Sequence, residues 1–262
     1  MPKPMQNPHL FQGDMILPPV ASAALSSGIS LYSATSDTSL LWPEGRIYYQ
    51  FGIKDQGLQN LVHRAMTHIE KRTCIRFIER GVMHRFLGNN DYVTIFRGKG
   101  CYSLVGRGRG SQPLSLGPGC ENESIIIHEL MHAIGFFHKH SRSDRDQYLD
   151  IHWHHIDKKM WPQFEKLQPE ENLILTPFDY MSIMLYGPRT FSFDDFSITM
   201  TRKDGGRLID VPFKNGLSKH DVHNVNQLYN CPDMEDIDNE VPFAQTHDVS
   251  SDLDKKVADV ID

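Results

Sequence analysis

The stretch that decides the fold is HELMHAIGFFH, residues 128–138, which follows the pattern H-E-x-x-H-x-x-G-x-x-H. His128 and His132 are four residues apart, so on a helix their imidazoles lie on one face and can bind one metal ion. Glu129 follows the first ligand and projects beside the metal, where it can hold and deprotonate a water. Gly135 can adopt a positive φ, which lets the chain leave the helix and bring back His138 as a third ligand. Three protein nitrogens leave one position open, as in catalytic zinc sites.

Histidine is common enough in this chain that a chance match must be considered. A bare H-E-x-x-H occurs by chance in histidine-rich chains, and this one has 14 histidines. The extended pattern constrains more positions and makes a chance match rare, so we predict a zinc site. His152, His154 and His155 also resemble ligands, but no spacing ties them to a metal, and we expect a solvated segment there.

Length and composition fit one large domain, or two lobes around a cleft. The chain has 262 residues, of which 39% are apolar, which is enough for a packed core. Its net charge of -6 gives no support for nucleic-acid binding, and we expect no nucleic-acid partner. The GRGRG run at 106–110 occurs once, and we interpret it as a structured loop. No segment is long and apolar enough to span a membrane.

The four cysteines form an even set without a C-x-x-C pair, which argues against a zinc finger or a thioredoxin-like site. They are Cys74, Cys101, Cys120 and Cys231. Two disulfides are the preferred interpretation, and the spacing leaves three pairings open. Disulfides predict an oxidising, extracellular setting. The first ten residues have no apolar core, so no signal peptide is visible there.

The apolar pattern predicts the main elements of secondary structure. Clusters of apolar and aromatic residues indicate strands, and apolar residues at helical spacing indicate helices. The predicted strands are 46–53, 74–78 and 92–96, and the predicted helices are 58–69, 121–134 and about 219–229. Residues 1–41 are rich in Pro, Ser, Ala and Gly, which predicts an extended or mobile leader. Residues 232–262 are acidic and poor in aromatics, which predicts a disordered tail.

Five further segments match the sequence pattern of one family. They are HKHSRSDRD at 138–146, CYSLVGR at 101–107, LSLGPGC at 114–120, SIMLYG at 182–187, and LSKHD at 217–221 followed by residues 226–231. These segments resemble the H-E-x-x-R-x-D-R-D continuation, the C-Y-S-x-V-G-R and L-S-L-G-x-G-C strands, the S-x-M-H-Y-G Met-turn and the last helix of the astacin family of metzincin endopeptidases. The resemblance covers about residues 42–231.

The resemblance implies an α+β fold, a two-lobed metzincin catalytic domain over 42–231 with the zinc helix at the floor of the active-site cleft. The implied disulfides are Cys74 with Cys231 and Cys101 with Cys120. Met184 would lie beneath the zinc and pack there without binding it. Tyr186 would match the family tyrosine that can ligate zinc at rest and swing away to stabilise the tetrahedral oxyanion. Without the resemblance, these two residues are an ordinary buried methionine and an aromatic on the cleft wall.

The leader contains FQGD, residues 11–14, which resembles the family's prosegment motif F-x-G-D. In the family this aspartate binds the catalytic zinc in place of water. A carboxylate in the open position removes the nucleophile and blocks the cleft. Four residues alone could equally form a surface turn, but their place ahead of a catalytic domain favours the motif. We therefore predict that Asp14 is a zinc ligand in the zymogen only, and that residues 1–41 are a prosegment.

The chain departs from the family pattern at three places. Lys139 stands where the family has a glutamate that contacts the amino terminus freed by activation, and a lysine would repel that ammonium group. Leu185 replaces the histidine of the Met-turn. No Lys or Arg lies between Lys3 and Arg46, whereas family prosegments often end at a basic residue. We therefore expect a non-tryptic activating protease that cuts within residues 26–39.

These features together predict a secreted zinc metalloendopeptidase that is made as a latent proenzyme. We expect a monomer with one zinc ion, held by His128, His132 and His138, that hydrolyses internal peptide bonds of protein or peptide substrates. Glu129 is the predicted general base, and Tyr186 stabilises the oxyanion. One alternative is a degenerate protease kept as a binding protein, against which the intact ligand set argues. Another is a structural zinc module, which lacks a clear fourth side-chain ligand once the leader leaves.

Overall fold

The computed structural model describes residues 3–17, 38–81, 90–169 and 173–232. The predicted disordered tail lies outside the described residues apart from Pro232. Most of the segment in which an activating cut is predicted also lies outside them. None of the helices within the described ranges is long and apolar enough to cross a membrane.

A six-stranded sheet forms the first half of the molecule. Its strands are β1 (Met15–Ile16), β2 (Arg46–Phe51), β3 (Arg76–Glu79), β4 (Tyr92–Phe96), β5 (Cys101–Leu104) and β6 (Ser111–Leu116), and two further strands are β7 (Leu149–Ile151) and β8 (Met200–Arg202). The sheet order is β1-β5-β6-β4-β2-β3. Only β5 and β6 pair antiparallel, and the other neighbours pair parallel. Strands β7 and β8 form a separate antiparallel pair in the second half.

Within the described residues, three α-helices accompany these strands, and the second half is otherwise built of turns and short 3-10 helices. The α-helices are α1 (Gln56–Glu70), α2 (Glu123–Ile134) and α3 (Lys219–Leu228). The 3-10 helices are Thr38–Leu40, Pro43–Gly45, Lys139–Ser141, Arg145–Gln147, Trp153–His155, Lys158–Phe164 and Val211–Phe213. The mixture of helix and sheet confirms the predicted α+β class.

Helix α2 carries the metal-binding motif and runs through the core. Every residue from Ser124 to Ile134 is buried, as expected for a helix that is apolar on most faces. The helix packs against α1, β5 and β6. It begins two residues later than predicted because the Asn122 side chain caps it, accepting hydrogen bonds from the backbone of Ser124 and Ile125.

Residues near the beginning and the end of the domain hydrogen-bond to the carboxyl end of α2. The Trp42 indole donates a hydrogen bond to the Ala133 carbonyl at 2.8 Å. The Tyr229 hydroxyl donates to the next carbonyl, that of Ile134, at 2.7 Å. These bonds satisfy carbonyls that the end of a helix leaves without partners, so the chain is held where it turns toward the third histidine.

Two disulfides join Cys74 to Cys231 and Cys101 to Cys120, the pairs that the resemblance implies. The first links residues 157 positions apart, and the second links residues 19 apart. Strand β3 begins at Arg76 rather than at Cys74, because the Cys74 backbone N–H donates to the Cys231 sulfur instead of to a neighbouring strand.

The described part of the leader, residues 3–17, folds against the domain, and we call it the plug. An extended or mobile leader is therefore the wrong description of these residues. The plug reverses direction on itself, with the Asn7 N–H bonded to the Gly13 carbonyl at 2.8 Å and a bridge between Phe11 and Met15. It then adds β1 to the sheet beside β5. Burial of Met5 and Met15 supplies apolar contacts that composition alone did not reveal.

Candidate metal centre and active site

Helix α2 and the turn that follows it bring three histidines together. His128 and His132 lie one turn apart on α2, and their ring centroids are 4.7 Å apart. Gly135 ends the helix with φ 126°, a backbone conformation that residues other than glycine rarely adopt. The chain then turns back, and His138 packs against both helical histidines. All three rings are completely buried.

The Nε2 atoms of these histidines converge on one point. The Nε2 of His128 lies 3.1 Å from those of His132 and His138. Within the described residues, these three side chains and Asp14 form the one group able to hold a metal, with ligand atoms within 4.8 Å of one another. Zinc–nitrogen bonds of about 2.0–2.1 Å in a tetrahedron place neighbouring ligands roughly 3.3 Å apart, which matches this spacing.

The opposite nitrogens show which atoms face the centre. His128 Nδ1 lies 2.8 Å from the Ile183 carbonyl, and His132 Nδ1 lies 2.6 Å from the Phe136 carbonyl. A carbonyl only accepts, so each Nδ1 carries the proton and each Nε2 presents a lone pair. Burial lowers the pKa of His128 and holds that of His138 well below its ordinary value, which keeps the imidazoles neutral. Converging lone pairs repel unless a cation lies between them, so the residues fit zinc.

Asp14, in the plug, is the fourth residue of the group that could hold a metal. Its Oδ2 lies 3.1 Å from His128 Nε2, and its Oδ1 lies 3.2 Å from His138 Nε2 and 3.4 Å from His132 Nε2. The carboxyl is completely buried. Burial alone would raise its pKa. Positive charge among the three Nε2 atoms, carried by a proton on His138 or His132 or by a bound metal ion, holds that pKa well below its ordinary value. Asp14 is therefore an ionised carboxylate that faces all three Nε2 atoms.

The backbone of the plug explains why a glycine precedes this aspartate. Gly13 has φ 95°, and a Cβ there would lie 2.6 Å from the Met5 carbonyl oxygen and 2.7 Å from the Phe191 ring. The neighbouring Gln12 also has a positive φ, 49°. The reversal at these two residues turns the Asp14 side chain into the centre while the Asp14 carbonyl accepts from the Ser103 N–H at 2.9 Å.

The Tyr186 hydroxyl bonds to the plug, and its ring packs against His128 and His138. Its hydroxyl donates to Asp14 Oδ2 at 2.6 Å and also lies 3.0 Å from the carbonyls of Met5 and Gln12. Burial, followed by the charge of Asp14, raises the pKa of this phenol well above its ordinary value. The hydroxyl therefore stays protonated and is a hydrogen-bond donor directed into the centre.

Glu129 lies beside the centre with a carboxyl group that has no partner. It is completely buried, and within the described residues neither carboxyl oxygen makes a hydrogen bond. Burial raises the pKa of this group well above its ordinary value, and the negative charge of Asp14 raises it further. Buried carboxyl groups without partners are rare in folded proteins, and one next to a ligand set is suited to proton transfer.

The three positions around the predicted Met-turn are all buried. Met184 is fully buried, and its carbonyl accepts from the Lys139 backbone N–H at 2.9 Å. Lys139 is only 6% exposed, and burial lowers its pKa while the charge of Asp221 opposes that shift. Leu185 is fully buried, and its carbonyl accepts from the Lys214 ammonium at 2.5 Å.

Comparison with known proteins identifies the family of the domain that carries the three histidines. A family profile described as Astacin, a peptidase family, matches residues 34–230. The chain belongs to the astacin family. Its astacin domain is therefore that of a zinc metalloendopeptidase, and zinc is its cofactor.

Relatives of this astacin chain include curated proteins and a solved structure. It is 40% identical over 203 residues to zinc metalloproteinase nas-15 of Caenorhabditis elegans, covering 77% of this chain and 34% of that protein. It is 41% identical over 196 residues to astacin-like metalloprotease toxin 1 of Loxosceles intermedia, covering 73% of this chain and 72% of the toxin. The chain thus spans about a third of the length of nas-15.

The fold also matches a hatching enzyme. High choriolytic enzyme 1, a zinc-protease from the medaka Oryzias latipes, superposes with a TM-score of 0.67 and 34% sequence identity. The match covers 76% of this chain and all of the hatching enzyme chain. It confirms the predicted α+β metzincin fold.

The structure also brings in residues to which the sequence pattern assigns no role. Gln12 fills the variable position of F-x-G-D, and its side-chain oxygen accepts from His138 Nδ1 at 3.0 Å. The carbonyls of Ile183 and Phe136 accept from Nδ1 of His128 and His132. They are backbone groups, which no pattern of residue types can predict. His152, His154 and His155 lie together on the surface and are not part of the metal-binding group.

Proposed function

We propose that this chain is a secreted zinc endopeptidase made as a latent proenzyme. In this proposal, residues 1–41 are the prosegment, 42–231 the catalytic domain and 232–262 a tail. The observation that carries it is the convergence of Asp14 with three neutral histidine nitrogens at one buried point. One carboxylate from the leader occupies the position that three permanent ligands leave open.

The residues support peptide hydrolysis by a water molecule. A bound zinc ion supplies Lewis acidity that polarises the scissile carbonyl and makes water nucleophilic near neutral pH. Glu129 takes the proton of the water as the water oxygen bonds to the carbonyl carbon. The same carboxyl then gives that proton to the leaving nitrogen as the C–N bond breaks. Tyr186 donates a hydrogen bond to the oxyanion once Asp14 no longer accepts its hydroxyl.

Latency follows from the number of contacts that the plug makes with the cleft. The carbonyl of Pro4 accepts from the Cys101 N–H at 2.8 Å, and that of Asp14 accepts from the Ser103 N–H at 2.9 Å. A substrate would need the volume that these residues occupy. Cleavage after the plug removes the covalent link that keeps it at high local concentration.

The setting and partners are part of the proposal. Two disulfides and no free cysteine favour an extracellular protein that acts as a monomer on protein or peptide substrates. An activating protease is a further partner, and the lack of basic residues between Lys3 and Arg46 favours a non-tryptic one. Trypsin that yields an active enzyme beginning near Ala34 would refute this last point.

The test is a controlled cut of the leader. A recognition site for a sequence-specific protease is placed within residues 18–37 of the refolded, zinc-loaded chain. We expect casein hydrolysis after the cut but not before it, and we expect a metal chelator to abolish it. The matched control is Glu129→Ala, cut in the same way, which should bind zinc but lose activity by roughly 10²–10⁴-fold. A zinc-loaded, disulfide-bonded, cut chain without activity would favour the binding-protein alternative.

A further inference from the structure

The turn at residues 182–185 connects the metal centre to helix α3. On one side, the Ile183 carbonyl accepts the Nδ1 proton of His128 at 2.8 Å. On the other side, the Asp221 carboxylate accepts from the Ile183 N–H at 2.7 Å and from the Ser182 hydroxyl at 2.6 Å. Asp221 lies in the first turn of α3, 93 positions from His128 along the chain, and is 1% exposed.

The hydrogen bonds through this turn form one uninterrupted series from Asp221 to His128. The Ser182 hydroxyl donates to Asp221 Oδ1 and accepts from the Met184 N–H at 3.2 Å. That N–H belongs to the same peptide group as the Ile183 carbonyl, which accepts from His128. Each hydrogen bond in such a series strengthens the next, because an N–H that donates a hydrogen bond shifts electron density within its peptide group onto the carbonyl oxygen.

The Asp221 carboxylate at the far end of this series of hydrogen bonds is buried, and the charge of Lys214 balances it. Lys214 donates from its ammonium group to the carbonyls of Ser182 at 2.6 Å and Leu185 at 2.5 Å. Lys214 is itself buried, and its ammonium tethers the other side of the same turn. A buried carboxylate is costly unless hydrogen bonds and an opposite charge compensate it, so its presence here calls for a role.

We propose that Asp221 is a positioning residue for the zinc ligand His128 and acts on it through the Ser182 hydroxyl and the 183–184 peptide group. Carboxylates that hold metal-binding histidines usually accept the imidazole proton directly. Here a serine and one peptide group are interposed. The relay fixes the tautomer of His128, orients its ring and makes its Nε2 a stronger donor toward zinc. The inference rests on the zinc site of the proposed function but does not require peptidase activity.

A purely structural role for Asp221 makes a different prediction. Asp221 also completes a capping box with Ser218, accepting from the Ser218 N–H at 3.1 Å while its own N–H donates to the Ser218 hydroxyl at 3.0 Å. If capping were its whole contribution, Ser218→Ala and Asp221→Asn would act alike, both lowering stability by about 1 kcal/mol. Neither would then change the affinity for zinc.

The experiment measures zinc affinity of the full chain by competition with a chromogenic chelator, alongside thermal unfolding. Asp221→Asn keeps the shape of the side chain but removes the charge, and Ser182→Ala breaks the series at its second member. We expect each to weaken zinc binding by about 10–100-fold, as losses of outer partners of metal ligands do. Ser218→Ala should lower the melting temperature yet leave zinc affinity within about threefold of wild type.

The outcomes separate the inference from the proposed function. A wild-type chain that binds no zinc overturns both. A wild-type chain that binds zinc, with Asp221→Asn as tight as wild type, overturns the relay alone. Should Ser182→Ala fail to fold, Ser182→Thr keeps the hydroxyl and should retain near wild-type affinity. Equal loss of zinc affinity in Ser218→Ala and Asp221→Asn would also count against the relay.

Discussion

The four residues that could hold the metal fall into two pairs that are held in different ways. The helical pair, His128 and His132, have their Nδ1 atoms bonded to carbonyls of the domain itself. The second pair depends on the plug, since Asp14 belongs to it and His138 Nδ1 is bonded to Gln12. Loss of the plug therefore leaves the helical pair unchanged, and it removes both a ligand and the partner of another ligand.

This difference teaches which parts of the centre are permanent. The helical pair is fixed by α2, which is buried from Ser124 to Ile134 and capped at both ends. The plug-dependent pair is fixed by hydrogen bonds from a segment that no disulfide joins to the domain. We therefore expect substitutions of His128, His132 and His138 themselves to act in every form of the protein. Substitutions of the plug residues Asp14 and Gln12 should act on the uncut form alone.

The largest expected effect is that of His132→Ala. Removing one of three permanent nitrogens leaves too few ligands, so zinc affinity should fall on the order of 10³-fold or more, both before and after the leader is cut. Zinc content after dialysis, with peptidase activity, measures this. The control is His152→Ala, whose imidazole bonds Thr201 at the surface and should leave zinc binding unchanged.

The next effect is that of Asp14→Ala on the uncut chain. Losing the carboxylate opens the fourth position and frees the Tyr186 hydroxyl, so casein hydrolysis should rise at least roughly tenfold above the uncut wild type. It should stay below that of the cut enzyme, because the backbone bonds of the plug to β5 remain.

The matched control for this prediction is Asp195→Ala. It removes the partner of Lys3, a partly exposed ion pair at the outer end of the plug, and should change latency little. Comparable activation by both substitutions would show that the metal contact is not what keeps the chain latent.

A smaller effect is expected from Gln12→Leu, which tests the second member of the plug-dependent pair. His138 Nδ1 would lose its acceptor, so zinc affinity of the uncut chain should weaken by about 3–10-fold. After cutting and removal of the plug, the variant and wild type should bind zinc equally. A deficit that persists in the cut enzyme would mean that Gln12 acts on folding rather than on the ligand.

The smallest effect concerns a histidine of the domain that lies away from the centre. Burial, with a further contribution from Arg72, lowers the pKa of His68 to about 4, and its Nε2 accepts from the Leu217 N–H at 3.0 Å. Between about pH 6.5 and pH 4 the unfolded chain binds a proton at this site and the folded chain does not. The free energy of unfolding should therefore fall as the pH falls through this window.

The matching measurement compares chemical unfolding of wild type and His68→Gln at pH 7 and pH 4.5. The glutamine keeps an acceptor for Leu217, so its stability should decline less on acidification, by about 1–2 kcal/mol after allowance for partial exposure. His223→Gln, on an exposed face of α3, is the control. An equal acid response in all three proteins would rule out His68 as the source.

The parts of the structure that depend on residues close together in the chain could be predicted from the sequence. The spacing of the motif predicted helix α2, the role of Gly135 in ending it and the return of His138, because helix geometry alone determines which side chains share a face. Strand β4 was predicted at its observed bounds, Tyr92–Phe96. Helix α1 was found from its apolar spacing and is one or two residues longer at each end.

The remainder depends on contacts between residues far apart in the chain. Gln12 meets His138 across 126 positions, and Asp221 reaches the turn beside His128 from another helix. Neither pair leaves a periodic signal. The compact plug was missed for a similar reason. Its composition, with Pro4, Pro8 and Gly13, suits a loop equally well, and its order comes from the cleft that surrounds it.

The pairing of β1 with β5 has a consequence for handling the protein. Pro4, Asp14 and Ile16 supply carbonyls to the N–H groups of Cys101, Ser103 and Val105. Loss of the plug leaves that row of donors open at the margin of the sheet, and open margins recruit other extended chains, including copies of the same protein. The uncut form should thus tolerate storage at high concentration, and turbidity or light scattering should begin to increase only once the leader has been removed.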